Sequence, residues 1–109
     1  MSDAYRVAYA PEALDDLKAI YTYLAQVLQA PGTAQELVGR LRSQIRALDQ
    51  LPARYPLVDW APWNRMGMHK MPVGIFVVFY TVDRESAAIT VIRIVYGGRD
   101  LESLAFQLQ

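Results

Sequence analysis

Two stretches near the end of the chain decide the fold: Gly74-Ile-Phe-Val-Val-Phe-Tyr-Thr-Val82 and Ala88-Ile-Thr-Val-Ile-Arg-Ile-Val-Tyr96. The first is a nearly unbroken run of β-branched and aromatic residues, the pattern of a strand covered on both faces. The second has the same character, and the polar link Asp83-Arg84-Glu85-Ser86 makes the two a hairpin. Upstream, Met66 to Met71 reads as a weaker third strand. Between Leu51 and Trp63 the chain carries Pro52, Pro56 and Pro62. Each removes a backbone donor and restrains the residue before it, so this segment reads as a long, aromatic-studded connector that packs down rather than a regular element.

The first half of the chain changes period. Tyr5-Arg6-Val7-Ala8-Tyr9 alternates large apolar with polar or small residues, which predicts a strand at a sheet edge. Pro11 suits a first helical position, and Glu12, Asp15 and Asp16 put negative charge in the first turns, where the helix dipole favours it. Leu14, Leu17, Ile20 or Tyr21, Leu24 and Leu28 recur at helical spacing, predicting a helix from Pro11 to Leu28 that Ala30-Pro31-Gly32 stops. Thr33 followed by Glu36 has the form of a reciprocal capping box for a second helix. Leu37, Leu41, Ile45 and Leu48 form its apolar stripe, with Arg40, Arg42 and Arg46 off that stripe. So short a link makes the helices an antiparallel pair. Asp100 reads as the cap of a short C-terminal helix carrying Leu101, Leu104 and Leu108. The order β-α-α-β-β-β with that last helix predicts an α+β fold, an antiparallel sheet with an N-terminal helical hairpin on one face.

Composition bounds the function. The 109 residues read as one domain, residues 1–109, with a formal net charge of zero, no cysteine and one histidine. Disulfides are excluded, and a lone histidine without thiolates makes no zinc site, so no metal or cofactor is expected. The N-terminus has no basic segment followed by an apolar stretch, and no apolar run reaches the ~18 residues of a membrane span. A reducing, cytoplasmic setting is the expectation. Neutrality disfavours a general nucleic-acid binder, although screening over about 8 Å lets a local basic cluster act on what it touches.

Few residues carry chemistry. There is no phosphate-binding glycine loop and no nucleophile elbow. His69 beside Lys70 combines a group that titrates near neutrality with an ammonium suited to phosphate. The second cluster is Arg93, Tyr96, Arg99 and Asp100. Alternation places Arg93 on the face of Val91 and Val95, an odd place for a guanidinium unless it faces a partner or is paired. Gly97-Gly98 would let another chain approach closely, whereas an Arg-Asp pair tying the C-terminal helix to the sheet explains the same residues without a partner.

From Tyr5 to about Leu104 the chain resembles the RelE/ParE superfamily of bacterial type II toxins. The resemblance rests on Ala10-Pro11-Glu12-Ala13 and Leu14-Asp15-Asp16-Leu17 after the first strand, Leu51-Pro52 and Tyr55-Pro56 after the second helix, and Met71-Pro72-Val73-Gly74. Val77-Val78-Phe79-Tyr80-Thr81-Val82 and Ile92-Arg93-Ile94-Val95-Tyr96-Gly97-Gly98-Arg99-Asp100 complete it. RelE-like members are ribosome-dependent endoribonucleases; ParE-like members are described as poisons of DNA gyrase. In the nuclease pattern the arginine of the penultimate strand falls here at Val77, and the tyrosine of the final helix near Leu104 or Ala105. Arg99 matches the arginine after the last strand, and Lys70 loosely matches a lysine of the second. Phosphoryl chemistry needs cationic stabilisation of the transition state, which one good match supplies poorly.

The resemblance therefore implies a ParE-like toxin that inhibits gyrase by binding, with Lys70, Arg93, Tyr96 and Arg99 toward its target. Tyr96 stands where ParE-like sequences often carry histidine. The alternatives are a ribonuclease using His69, Lys70, Tyr96 and Arg99, and an inactive member that only binds an antitoxin or regulates its operon. The resemblance also implies a cognate antitoxin whose flexible segment orders on the toxin, either as a helix along the hairpin or as an added strand. Tyr21, Tyr23, Arg40, Arg42 and Arg46 are the candidate contacts, and an acidic segment would complement the arginines.

Overall fold

A computed structural model describes residues 4–97. Strand β1, Arg6–Tyr9, leads into helix α1, Pro11–Thr22, a π-helical turn over Tyr23–Val27, and helix α2, Pro31–Arg46. After 3-10 turns at Ala47–Asp49 and Trp63–Arg65 come β2, His69–Val73, β3, Phe76–Asp83, and β4, Ala88–Tyr96. The strands form one open sheet in the order β1-β4-β3-β2. The expected C-terminal helix at Asp100, Leu101, Leu104 and Leu108, and Arg99, lie outside the described residues.

The α+β layering and the helical hairpin on one face stand, but the sheet is mixed rather than antiparallel. β2, β3 and β4 are antiparallel neighbours, while β1 runs parallel to β4, Val7 opposite Ile89. Parallel neighbours need a long crossover, and here the hairpin, the connector and β2–β3 all lie between the two strands.

The first helix is shorter than its periodicity implies. Leu28 N–H reaches Tyr23 O in a π-type bond, and Gln29 at φ 54 ends the turn. Ala13 and Leu17 are buried and Ile20 and Leu24 half-buried, whereas Leu14, Tyr21 and Leu28 are exposed. The expected stripe is thus displaced onto Ala13. Pro31 opens α2 rather than stopping α1, and the Thr33–Glu36 box does not form, since Ala30 is the N-cap and makes no side-chain cap. Proline's fixed φ starts the helix three residues earlier than the box would, with Ala30 rather than Thr33 as N-cap. The stripe of α2 is as expected: Leu41, Ile45 and Leu48 are buried, with Leu37 and Val38 packed beside them.

β2 begins at His69 rather than Met66, because Gly67 at φ 68 turns the chain just before it. β3 begins at Phe76 because Gly74, at φ 59, and Ile75 form the β2–β3 turn. Both sheet faces are covered. Val78, Tyr80, Ile89, Val91 and Ile94 pack under the helices. Phe79 and Val95 pack with Val58, Trp63 and Met68, so the connector seals the opposite face.

Candidate functional site

Arg93 owes its position to a break in alternation. Phe79 pairs with Arg93 but Tyr80 with Val91, so Ile92 is an extra residue in β4. Beyond this bulge Val91 and Ile94 share the helix-side core, while Ile92 and Val95 share the connector-side one. Regular alternation would have grouped Val91 with Val95. Arg93 reaches Asp16 of α1 in a bidentate pair, Nε to Oδ2 at 2.7 Å and Nη2 to Oδ1 at 3.0 Å. Asp16 Oδ2 also accepts the Ile94 N–H at 2.8 Å. β1 pairs with β4 only as far as Val91, so Asp16 covers a stretch of edge that has no strand beside it. The role of Asp16 is therefore this pairing rather than dipole complementarity; glutamate 12 alone is in the first turn. This tie joins α1 to the sheet, and an Arg-Asp pair to a C-terminal helix at Asp100 lies outside the described residues.

His69 and Lys70 are neighbours in sequence but face opposite sides of the sheet, as alternation in β2 requires. The His69 ring stacks on Tyr80 of the helix-side core, centroids 5.0 Å apart and planes 12° from parallel. Its Nδ1 lies 2.8 Å from Tyr55 O; a carbonyl only accepts, so Nδ1 carries the proton and donates. Tyr80 donates its hydroxyl to Pro52 O at 2.8 Å, and burial pushes its phenol up to about 12. These two side chains clamp the start of the connector. Lys70 lies on the other face, its Nζ 5.4 Å from the centre of the Trp60 ring.

Tyr96 is 52% exposed and meets Phe76 edge to face at 6.5 Å. Tyr96 pairs with Phe76 and Lys70 with Phe79, so the two backbones are on the order of 14 Å apart. Tyr96 lines an apolar groove of about 500 Å³ with Ile20, Tyr23, Leu24, Leu28 and Ile75. The structure does not gather His69, Lys70 and Tyr96 into one site. Val77, the position of the nuclease-type arginine, pairs with Pro72 and Val95 and packs half-buried against the Trp63–Phe79 cluster. Gly97 approaches its own chain closely: its N–H bonds Ile75 O, and a Cβ there would sit 3.3 Å from that oxygen.

The hairpin residues also divide. Tyr23 belongs to the apolar groove, and Tyr21 is exposed outside it. Arg40 points its guanidinium toward the turn at Gly74, whereas Arg42 and Arg46 line a cleft beside β1 with Tyr5 and Tyr9. The three arginines therefore form no single row. The oddity of Arg93 was the signal for a sheltered pair, but its partner lies 77 residues away. Nothing in the alternation of β1 announced the cleft.

Among the described residues no group of three or more metal-binding side chains occurs, and no helix is long and apolar enough to cross a membrane. No curated protein matches the sequence. Solved structures do match the fold. The chromosomal ParDE toxin-antitoxin system from P. aeruginosa superposes with a TM-score of 0.71 at 22% identity, over 87% of this chain and 98% of that one. A mutant of the E. coli toxin RelE in the free state gives 0.65 at 14% identity, over 96% and 97%. The RelBE2 toxin-antitoxin complex from Mycobacterium tuberculosis gives 0.64 at 16%, over 88% and 94%. The architecture is thus the one shared by RelE- and ParE-type toxins. Residues 7–101 match the family described as ParE toxin of type II toxin-antitoxin system, parDE, and the chain belongs to that family.

Proposed function

We infer that this chain is a ParE-like toxin that is held inactive by a cognate antitoxin and acts by binding DNA gyrase, without chemistry of its own. The observation that carries this reading is the state of the sheet face around Val77. Where the nuclease pattern asks for an arginine there is a half-buried valine, and the connector covers the face with Trp63 and Phe79. Lys70 reaches that face but sits over Trp60, and His69 is bonded to Tyr55 O on the other side. A cleavage mechanism needs an acid, a base and a phosphate clamp converging on one substrate. The zero net charge supports a protein target over a nucleic-acid one.

Of the residues assigned to target contact, Lys70 and Tyr96 retain solvent-facing surface, Arg99 falls within the matched family span, and Arg93 acts through its pair with Asp16. An antitoxin partner is supported by the family and by the ParDE and RelBE2 systems that share the fold. The place of action is then the cytoplasm, where gyrase works. Induced expression in bacteria tests the reading: thymidine incorporation should fall before methionine incorporation. The reverse order, with mRNA cut on ribosomes, would establish the nuclease; no growth defect would leave an inactive, antitoxin-binding member.

A further inference from the structure

Past the start of β1, the connector and the end of β3 enclose a cleft of about 310 Å³. Leu51, Pro52, Ala53 and Arg54 line it from the connector, and Tyr5, Val82 and Arg84 from the sheet. Tyr5 comes just before β1, while Val82, opposite Ile89 and so level with Val7, lies two strands away, about 10 Å across the sheet. The lining is held in one geometry on both sides. Tyr80 donates to Pro52 O at 2.8 Å and Arg54 N–H to Leu51 O at 3.2 Å, while Asp83 Oδ1 accepts the Glu85 and Ser86 N–H groups of the β3–β4 turn. A preformed surface loses little conformational freedom when a partner arrives.

The cleft is apolar with cations at its rim. Leu51 is 60% exposed, and Tyr5, Pro52 and Val82 are half-buried. Arg54 and Arg84 are exposed, and among the described residues neither is in an ion pair. The Arg54 guanidinium lies over the Tyr55 ring, 5.1 Å from its centre, which leaves its N–H fork for an anion. Asp83 and Glu85 flank Arg84 in the chain but do not line the cleft. A nucleic-acid strand needs a run of cations along its backbone, and two arginines around an apolar lining do not make one. The volume holds about ten waters at ~30 Å³ each, and their release to an apolar side chain is favourable.

We propose that this cleft is a docking site for DNA gyrase: a large apolar side chain of the enzyme enters between Leu51 and Val82, and carboxylates beside it in sequence pair with Arg54 and Arg84. This rests on the gyrase reading above. An apolar anchor seated in a pocket is the arrangement in which few residues carry most of an interface's affinity. The arginines add encounter rate and orientation more than strength. The resemblance puts the antitoxin along the hairpin or at a sheet edge, and the cleft is neither, since Tyr5 precedes β1 and its N–H is taken by Asp49 O. Leu14, 44% exposed between Glu12 and Asp15, gives a second copy of this chain the same chemistry, but joining two different surfaces head to tail builds rings or open chains rather than a closed dimer.

The experiment measures binding of the full, antitoxin-free chain to purified gyrase at low and high salt, with the antitoxin encoded by the adjoining reading frame as the control partner. Arg54→Glu combined with Arg84→Glu should bind gyrase about tenfold more weakly at low salt, with the gap narrowing as salt rises, and should need correspondingly more protein to stop supercoiling. Leu51→Ser, at an exposed position, should weaken gyrase binding severalfold at both salts. Both variants should keep the unfolding midpoint and the antitoxin affinity of the unaltered chain. Unchanged gyrase affinity of the charge-reversed chain overturns the proposal and leaves the gyrase reading intact. So does an equal loss of antitoxin affinity, which would make the antitoxin the occupant. Self-association of the unaltered chain that charge reversal abolishes would seat Leu14 of a second copy in the cleft and likewise overturn the proposal. No gyrase binding by the unaltered chain overturns the gyrase reading and the proposal together.

Discussion

Asp16 accepts three hydrogen bonds from β4, two from the Arg93 guanidinium and one from the Ile94 N–H. With each side chain about 15% exposed, the pair is sheltered enough that removing one partner leaves a poorly solvated charge. Asp16→Ala should therefore destabilise by about 2–3 kcal/mol in denaturant unfolding, and Asp16→Asn by less because it keeps an acceptor. Tyr80 adds a pH dependence. Its folded value, raised to about 12 from 10.0, means that the unfolded chain loses its proton first. The stability it contributes is complete below pH 10 and is lost as pH rises toward 12, so the fall in stability over that window should be shallower in Tyr80→Phe. The sequence showed that Arg93 was out of place in an apolar strand. It could not show Asp16 as the partner, because the bulge at Ile92 and the docking of α1 are tertiary choices that no local pattern carries.

Turns and helix ends set where the elements stop. Gly74 alone has a positive φ in the two-residue β2–β3 turn, the arrangement of a type II′ turn with glycine first. Gly74→Val should cost about 1–2 kcal/mol, read as a lowered unfolding midpoint. Ala87 at φ 51 holds the opposite position, a residue with a Cβ where glycine is easier, while Asp83 Oδ1 accepts the Glu85 and Ser86 N–H groups in the same turn. Ala87→Gly should stabilise the β3–β4 hairpin by a few tenths of a kcal/mol to about 1 kcal/mol. The hairpin itself was legible, as were the stripe of α2 and the folding down of the connector, since each follows from hydrophobic spacing or proline placement. The π-turn after α1 was not, because its apolar residues kept helical spacing through it. Nor was the start of α2, where a capping-box pattern competed with Pro31 and lost.

At the scale of the molecule, the fold places three different surfaces around one sheet. The helices cover one face, Trp60, Trp63 and their neighbours cover the other, and the free edge of β1 lies beside Arg42 and Arg46. Net neutrality and an apolar Val77 were both legible in the sequence, and the structure adds that Val77 is half-buried beside Trp63 and Phe79, which fill that face of the sheet. What spacing alone could not give was the separation of His69, Lys70 and Tyr96, since it depends on which face each strand presents and on strand order. The free β1 edge and the face covered by Trp63 and Phe79 are separate surfaces of one sheet. Gyrase is the proposed target of this chain. Titration of the purified, antitoxin-free chain into a gyrase supercoiling reaction tests it most directly: supercoiling should stop near one toxin per enzyme and be restored by the antitoxin, whereas undiminished supercoiling alongside cleavage of mRNA on ribosomes would contradict it.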